Sequence, residues 1–384
     1  MSFDFSTAQR ILFGSGVIQQ AGDLAAGWGR RALLVTGRGG ADPSRLVTSL
    51  EAAGLVWQRF SIQAEPDLAT AASGVELGRS FAADLVIGFG GGSALDSAKA
   101  IAALLANPGS PLDYLEVVGL GQPLTHPPLP IIAVPTTAGT GSEVTRNAVL
   151  TVPAHRVKAS LRHPGMLPRL ALVDPDLTLS LPPAITAATG LDALTQLIEP
   201  FLSNRANPLT DLFCLEGMRR VAASLLTAVE NGSSLPARTD LSYASLLGGM
   251  ALANAGLGAV HGLAAPIGGM FHAPHGAVCA CLLPLVFELN YRLIQNSSPG
   301  SPLAQRFDQV AQILLNDPSA GAAQAIRWLF DLRSRLQIPG LAAYGIQPAD
   351  CPAIASAALQ ASSMKPNPVR LQQSQLIELL HQAL

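Results

Sequence analysis

With 384 residues, the chain exceeds what one ordinary hydrophobic core supports, so two domains are expected. A net charge of -2, a pI near 6.4 and the absence of any Lys/Arg run longer than two exclude a basic nucleic-acid face and point to a small-molecule partner. Cys214, Cys279, Cys281 and Cys351 show no Cys-x-x-Cys spacing, and the N-terminus lacks the basic start and apolar run of a signal peptide; both features fit a reduced, cytoplasmic protein without disulfides.

From Arg31 onward, short apolar runs alternate with helical segments. Ala32–Thr36, Leu55–Ile62 and Leu85–Phe89 read as strands, with helices over Ser44–Gly54 and Leu68–Ala82 between them. This β-α-β-α-β order predicts a parallel, Rossmann-like sheet with right-handed crossovers, and ligands in such sheets bind beyond the carboxyl ends of the strands. Another strand over Leu129–Val134 extends the sheet after a Pro/Gly-rich loop.

The third strand runs directly into Gly90-Gly91-Gly92-Ser93 and then a helix carrying Asp96 and Lys99. Glycines admit a phosphate close to the backbone, and the amides at a helix start supply unpaired donors. Ser93 followed by Asp96 also fits a helix cap that needs no ligand. After the next strand, the loop Pro135–Glu143 gathers Thr136, Thr137, Thr140 and Ser142 around small residues, which suits sugar and phosphate oxygens as well as a simple turn. Two such loops on strand ends favour a dinucleotide. Where the first strand ends, Gly37 and Arg38 replace the acidic residue that would bind an adenosine ribose and repel a 2′-phosphate. The expected cofactor is therefore NAD(P)(H), with preference for NADP(H) or dual use, Arg38 pairing with the extra phosphate.

Leu181-Pro182-Pro183 marks a change to long Ala/Leu-rich segments with helical spacing, giving domains over 1–181 and 182–384, the second all-helical. The stretch Leu246–Phe271 carries no charge, yet Asn254, His261 and Pro266 interrupt it, and it reads as a buried core helix with no membrane span. In the helix holding Ala188–Glu199, Asp192 and Gln196 share a face, and Pro200 four residues later predicts a kink. His261, His272 and His275 cluster in one uncharged segment. Two imidazoles joined by the Asp192 carboxylate would form a three-ligand divalent-metal site with an open position; satisfied buried histidines are the alternative.

Together the Gly-Gly-Gly-Ser-x-x-Asp-x-x-Lys loop, the Pro-Thr-Thr-x-Gly-Thr-Gly-Ser-Glu loop, the Ala-Thr-Gly-x-Asp-Ala-Leu-Thr helix and the segment ending in Pro-His-Gly resemble the iron-containing (group III) alcohol dehydrogenase family. The likeness runs from Ile11–Gly16 to Asn367-Pro368. It implies a dehydroquinate synthase-like architecture: an α/β dinucleotide domain, a helical domain and a metal in the cleft between them. By the same likeness, Asp192, His261 and His275 are ligands to Fe²⁺, with Zn²⁺ or Mn²⁺ as options, and Gln196 stands where a fourth ligand, a histidine, is usual. Ala265 replaces a histidine that relays protons, which leaves His272 as the candidate relay. Asn147 and Leu252 fall in segments that line the substrate pocket. The implied reaction is hydride transfer between nicotinamide and a small alcohol or aldehyde, with the metal as Lewis acid, in a homo-oligomer, a dimer or larger. Two other readings keep the fold: a dehydroquinate synthase-like or polyol-phosphate enzyme, for which Arg156, Lys158, Arg162 and Arg169 are the nearby basic cluster, and a catalytically impaired nucleotide-binding protein. Cys279 and Cys281 read as small buried packing.

Overall fold

The computed structural model describes residues 2–37 and 41–384. Two compact units emerge, one formed by Ser6–Leu181 with Ser233–Ser242, the other by the residues up to Phe5 with Pro182–Gly232 and Tyr243–Leu384.

In the first unit the strands in chain order are β1 (Ile11–Phe13), β2 (Arg31–Thr36), β3 (Val56–Ser61), β4 (Leu85–Gly90), β5 (Ile131–Pro135), β6 (Asn147–Val152), β7 (Val157–Arg162) and β8 (Leu170–Val173). Six of them form a parallel sheet in the order β1-β8-β5-β4-β2-β3, while β6 and β7 pair as an antiparallel hairpin. Helices α1 (Ala21–Ala25), α2 (Ser44–Ala52), α3 (Leu68–Ser80), α4 (Gly92–Ala106) and α5 (Pro111–Tyr114) lie along the connections. Every residue of β4 and β5 is buried, the pattern of central parallel strands covered on both faces. Alternation along each strand divides the core into two layers. Leu33, Val35 and Val86 pack with Val75, Ala98 and Ile101, whereas Ala32, Leu34, Leu85 and Ile87 pack with Ile18, Leu46 and Leu50. From β2 the chain steps to β3 on one side and then to β4 on the other, so the direction of winding reverses at the carboxyl ends of β2 and β4. Such a switch point is where open α/β sheets bind ligands.

The expected strands and crossover helices are present. Sequence reading passed over β1 and β8, which are only three and four residues long, and the β6–β7 hairpin, whose mixed polar composition obscures its alternation.

From Pro183 onward the described residues form no strand. The helices are α6 (Pro183–Leu202), α7 (Pro208–Glu230), α8 (Leu235–Ala255), α9 (Ala259–Phe271), α10 (His275–Ser297), α11 (Pro302–Leu315), α12 (Ala322–Arg335), α13 (Cys351–Gln360) and α14 (Gln373–Ala383). The uncharged stretch Leu246–Phe271 is not one helix. It spans α8 and α9, which are bent by 98° at the break between them. Among the described residues, α10 is long and apolar enough by length and composition to cross a bilayer, as the bent α8–α9 pair would be if taken as one span, but 78% of the α10 apolar window is buried inside the protein, where it packs with α9, α13 and α14. α6 runs on through Pro200 and ends at Leu202, so the proline falls in the last turn.

Candidate functional site

At the end of β4, Gly90 has φ +152°, and a Cβ there would lie 2.7 Å from Ala94 Cβ; only glycine fits. Gly91 is the N-cap of α4, and no side chain caps this helix, which leaves its first-turn donors available to an anion. The second loop packs directly on the first. A Cβ on Gly92 would meet Thr140 Cγ2 at 2.8 Å, and the Thr136 N–H donates to the Gly90 carbonyl at 2.9 Å.

Asp96 does not cap its own helix with Ser93. Its carboxylate reaches the other loop and β6, accepting from Ser142 Oγ at 2.5 Å and from the Val149 N–H at 3.0 Å. Lys99, fully buried, lies 3.0 Å from Asp96 and donates to the Ser142 carbonyl at 3.1 Å and Thr145 Oγ1 at 3.0 Å. Both side chains thus hold the two loops together. A pocket of ≈ 190 Å³ at the switch point is lined by Thr36, Gly37, Asp42, Arg59, Gly90 and Thr136. Arg59 escaped sequence reading because its strand is an edge with no motif. Its Nε donates to Thr36 Oγ1 at 3.0 Å, while Asp42 is occupied by the Ser44 hydroxyl and amide, which hold its carboxyl below the usual range. Arg38 lies outside the described residues.

Next to this cradle, the Glu143 carboxyl is buried. Burial pushes its pKa up from 4.5 to about 7, against the pull of its own backbone N–H and of Lys99. The folded protein therefore holds this proton more tightly than the unfolded chain does. The corresponding stability is full below about pH 4.5 and is lost as pH rises toward about 7, by about 3 kcal/mol. Glu143→Gln should raise the melting temperature at about pH 8 and leave it nearly unchanged at about pH 4.5. Equal shifts at both pH values would show that the carboxyl does not titrate in this range.

In the helical unit, Asp192 of α6, His261 in the first turn of α9, and His275 and Cys279 of α10 converge, with one donor atom from each lying within 4.8 Å of the others. Asp192 Oδ1 faces His261 Nε2 at 3.4 Å and His275 Nε2 at 3.8 Å. Both Asp192 Oδ1 and His261 Nε2 are buried without a hydrogen-bond partner, as is Gln196 Oε1. Buried polar atoms are normally satisfied, so converging unpartnered donors of this kind fit a cation. Burial alone would raise the Asp192 pKa, but His275, His261 and the Gln196 amide outweigh it and keep the carboxyl below its ordinary range. Burial would lower the His261 pKa, but Cys279, Glu199 and Asp192 push it well above the usual imidazole value; Cys279 and Asp192 raise His275 against the same opposition. A cation at this point would compete with protons for both rings.

Glu199 orients the centre. Its Oε2 lies 2.6 Å from His261 Nδ1, and its Oε1 accepts the Val260 N–H at 2.7 Å. Asn367 Oδ1 accepts the neighbouring Ala259 N–H at 3.0 Å and is braced by Asn290. These two side chains cap α9 in place of its own N-cap, Gly258, where a Cβ would come within 2.8 Å of Glu199 Oε1. Asp192, Gln196 and Glu199 occupy positions i, i+4 and i+7 of one face of α6, and this stripe was the available sequence signal for Glu199.

Residues 8–175 match the family model for iron-containing alcohol dehydrogenase, and residues 186–384 match the Fe-containing alcohol dehydrogenase family, C-terminal. The chain is 35% identical to alcohol dehydrogenase 4 of Saccharomyces cerevisiae, covering 97% of this chain and 96% of that protein. To 1,3-propanediol dehydrogenase of Citrobacter freundii it is 36% identical, covering 99% and 98%. This chain belongs to the iron-containing alcohol dehydrogenase family. A solved 1,3-propanediol oxidoreductase superposes with a TM-score of 0.92 at 34% identity over the whole of both chains. Sulfoacetaldehyde reductase from Bifidobacterium kashiwanohense, solved in complex with NAD+, has a TM-score of 0.86 at 28% identity, covering 100% of this chain and 99% of that one.

Against this iron-containing dehydrogenase scaffold, the structure brings Asp192, His261 and His275 together and sets Gln196 beside Asp192. Cys279 and Cys281 are both buried, as expected; Cys279 in addition faces the cluster, whereas Cys281 packs away from it toward the Ala383 carbonyl. His272 does not join the cluster; it is exposed and closes α9 in the left-handed conformation at φ +53°. Leu252 lies one turn beyond Gly248, whose Cβ position touches Gln196, so it extends the face of α8 that packs on α6. Asn147 opens β6 in the other unit. Of the basic residues weighed for a phosphorylated substrate, Lys158 pairs with Glu65 at 2.7 Å and Arg162 with Glu116 at 3.4 Å, both within the α/β unit.

Proposed function

We propose that the protein is a metal-dependent, NAD(P)(H)-linked alcohol dehydrogenase or aldehyde reductase of small substrates, working in a reducing cytoplasm where its four free cysteines persist. The observation that carries this reading is the pair of buried, unpartnered atoms, Asp192 Oδ1 and His261 Nε2, facing His275. Asp192, His261 and His275 hold a divalent cation, Fe²⁺ before Zn²⁺ or Mn²⁺, and Gln196 offers an amide oxygen as a weaker donor. When bound, the cation supplies Lewis-acid polarisation of the alcohol or aldehyde oxygen, and the nicotinamide exchanges hydride with the adjoining carbon.

The residues of the chain position these groups. Gly90, Gly91, Gly92 and Ser93 present backbone donors to the pyrophosphate, with Thr136, Thr137, Thr140 and Ser142 adding hydroxyls and Asp96 and Lys99 fixing the loops. Asn147 and Leu252 contact substrate. His272, exposed to water, passes the proton to solvent. Gly37 leaves space for a 2′-phosphate, Arg59 supplies positive charge in the pocket that Gly37 lines, and Arg38, next in sequence, is the residue expected to pair with that phosphate.

The test is oxidation of NADH and NADPH with a panel of short aldehydes, before and after chelation and readdition of Fe²⁺, Zn²⁺ or Mn²⁺. Activity lost and restored with metal is expected; activity indifferent to chelation would overturn the reading. A Cβ on Gly37 would meet nothing nearer than Ala94 Cβ at 3.9 Å, so Gly37→Asp fits sterically. It should shift the kcat/KM ratio toward NAD(H) by about 10–100-fold, or about 1.4–2.7 kcal/mol, through repulsion of the 2′-phosphate. An unchanged ratio would place the ribose elsewhere.

A further inference from the structure

We infer that Cys279 supplies the fourth donor of the metal centre as a thiolate, making an Asp-His-His-Cys site; this rests on the metal-dependent reading above. Cys279 follows His275 by four residues on α10, so the two side chains share one face of the helix. It is fully buried, and its Sγ lies 3.6 Å from His275 Nε2 and within 4.8 Å of the donor atoms of Asp192 and His261.

The spacing matches that of a ligand set. Bonds of about 2.0–2.1 Å to nitrogen or oxygen and about 2.3 Å to sulfur, at tetrahedral angles, put N/O pairs about 3.4 Å apart and N–S pairs about 3.6 Å apart. The separations here are 3.4 Å for His261–Asp192, 3.8 Å for His275–Asp192 and 3.6 Å for His275–Cys279. A thiol hydrogen-bonded to His275 Nε2 would account for the last distance alone and would leave Asp192 Oδ1 and His261 Nε2 unpartnered. One cation among these four groups would give Asp192 Oδ1 and His261 Nε2 a partner, with the substrate oxygen entering as a fifth ligand. On binding, a metal–sulfur bond forms and the thiol proton leaves to solvent, with no change in oxidation state. Because a thiolate is a soft donor, the site should favour Zn²⁺ or Co²⁺ over Mn²⁺ more strongly than an all-N/O site would.

The full chain, stripped of metal and loaded with Co²⁺, tests this by absorption spectroscopy, and its Zn²⁺ form by X-ray absorption. The expected result is one Co²⁺ per chain with visible d–d bands and an intense near-ultraviolet thiolate-to-cobalt band, and one sulfur at about 2.3 Å from Zn²⁺. Cys279→Ser should lose the charge-transfer band, keep d–d bands and reduce the Zn²⁺-over-Mn²⁺ preference by about tenfold or more, while Cys281→Ser keeps the band. Stoichiometric Co²⁺ with d–d bands but no charge-transfer band in the unmodified protein, or a band that survives Cys279→Ser, would overturn the thiolate ligand and leave the metal reading standing. Failure of the unmodified protein to retain any Co²⁺ or Zn²⁺ would overturn both.

Discussion

Asp192→Asn is expected to remove the divalent metal and to lower kcat/KM by at least about 10³-fold, equivalent to about 4 kcal/mol of transition-state stabilisation, with cofactor affinity unchanged. Asparagine keeps the volume of the side chain, so the packing of α6 should survive, but it removes the only negative charge among the Asp192, His261 and His275 donors. In the present structure those two imidazoles stand 3.4 Å and 3.8 Å from Asp192 Oδ1, and that oxygen accepts no hydrogen bond. A neutral amide at this point removes the carboxylate that would balance the cation directly, leaving only the Cys279 thiolate and, through His261, the Glu199 carboxylate in a buried site. Metal content by elemental analysis, NAD(P)H titration and steady-state rates on the same preparation check the claim. Full activity in the variant would place the chemistry elsewhere, and loss of cofactor binding together with activity would point to unfolding.

Much of the first unit was legible because its chemistry is local. Leu85–Gly90 and Ile131–Pro135 are continuous apolar runs, each ending in a loop rich in glycines or hydroxyls. β1 and β8 pair only with strands far away in the chain, so three or four residues give no periodicity to read. Asp96 shows the same limit at a single side chain. Spacing alone makes it a cap for Ser93, yet its partners are Ser142 of the other loop and Val149 of β6. At the candidate metal site, His261, His275 and Asp192 stood out by type. Glu199 and Cys279 did not, because an acid on a helix and a buried cysteine are each common, and only folding brings them against a histidine. The spacings were visible nonetheless: Glu199 is seven residues after Asp192, and Cys279 four after His275.

Glu199→Gln should therefore lower metal affinity by about 10–100-fold, the usual cost of losing the partner that orients a ligating histidine, while kcat at saturating metal stays within about threefold of the unmodified enzyme. The carboxylate does two things at once. One oxygen takes the His261 Nδ1–H, which directs the lone pair of Nε2 toward Asp192, and the other takes the Val260 N–H at the start of α9. A glutamine offers only one accepting oxygen, so either the imidazole or the backbone faces an N–H group. Leaving one buried donor unsatisfied costs about 1–3 kcal/mol of folding stability. Competition with a chelator gives the affinity, and thermal unfolding of the metal-free protein gives the stability. If stability falls while affinity does not, Glu199 serves only to cap α9. A loss of kcat that added metal fails to restore would mean that the carboxylate acts on the substrate rather than through His261.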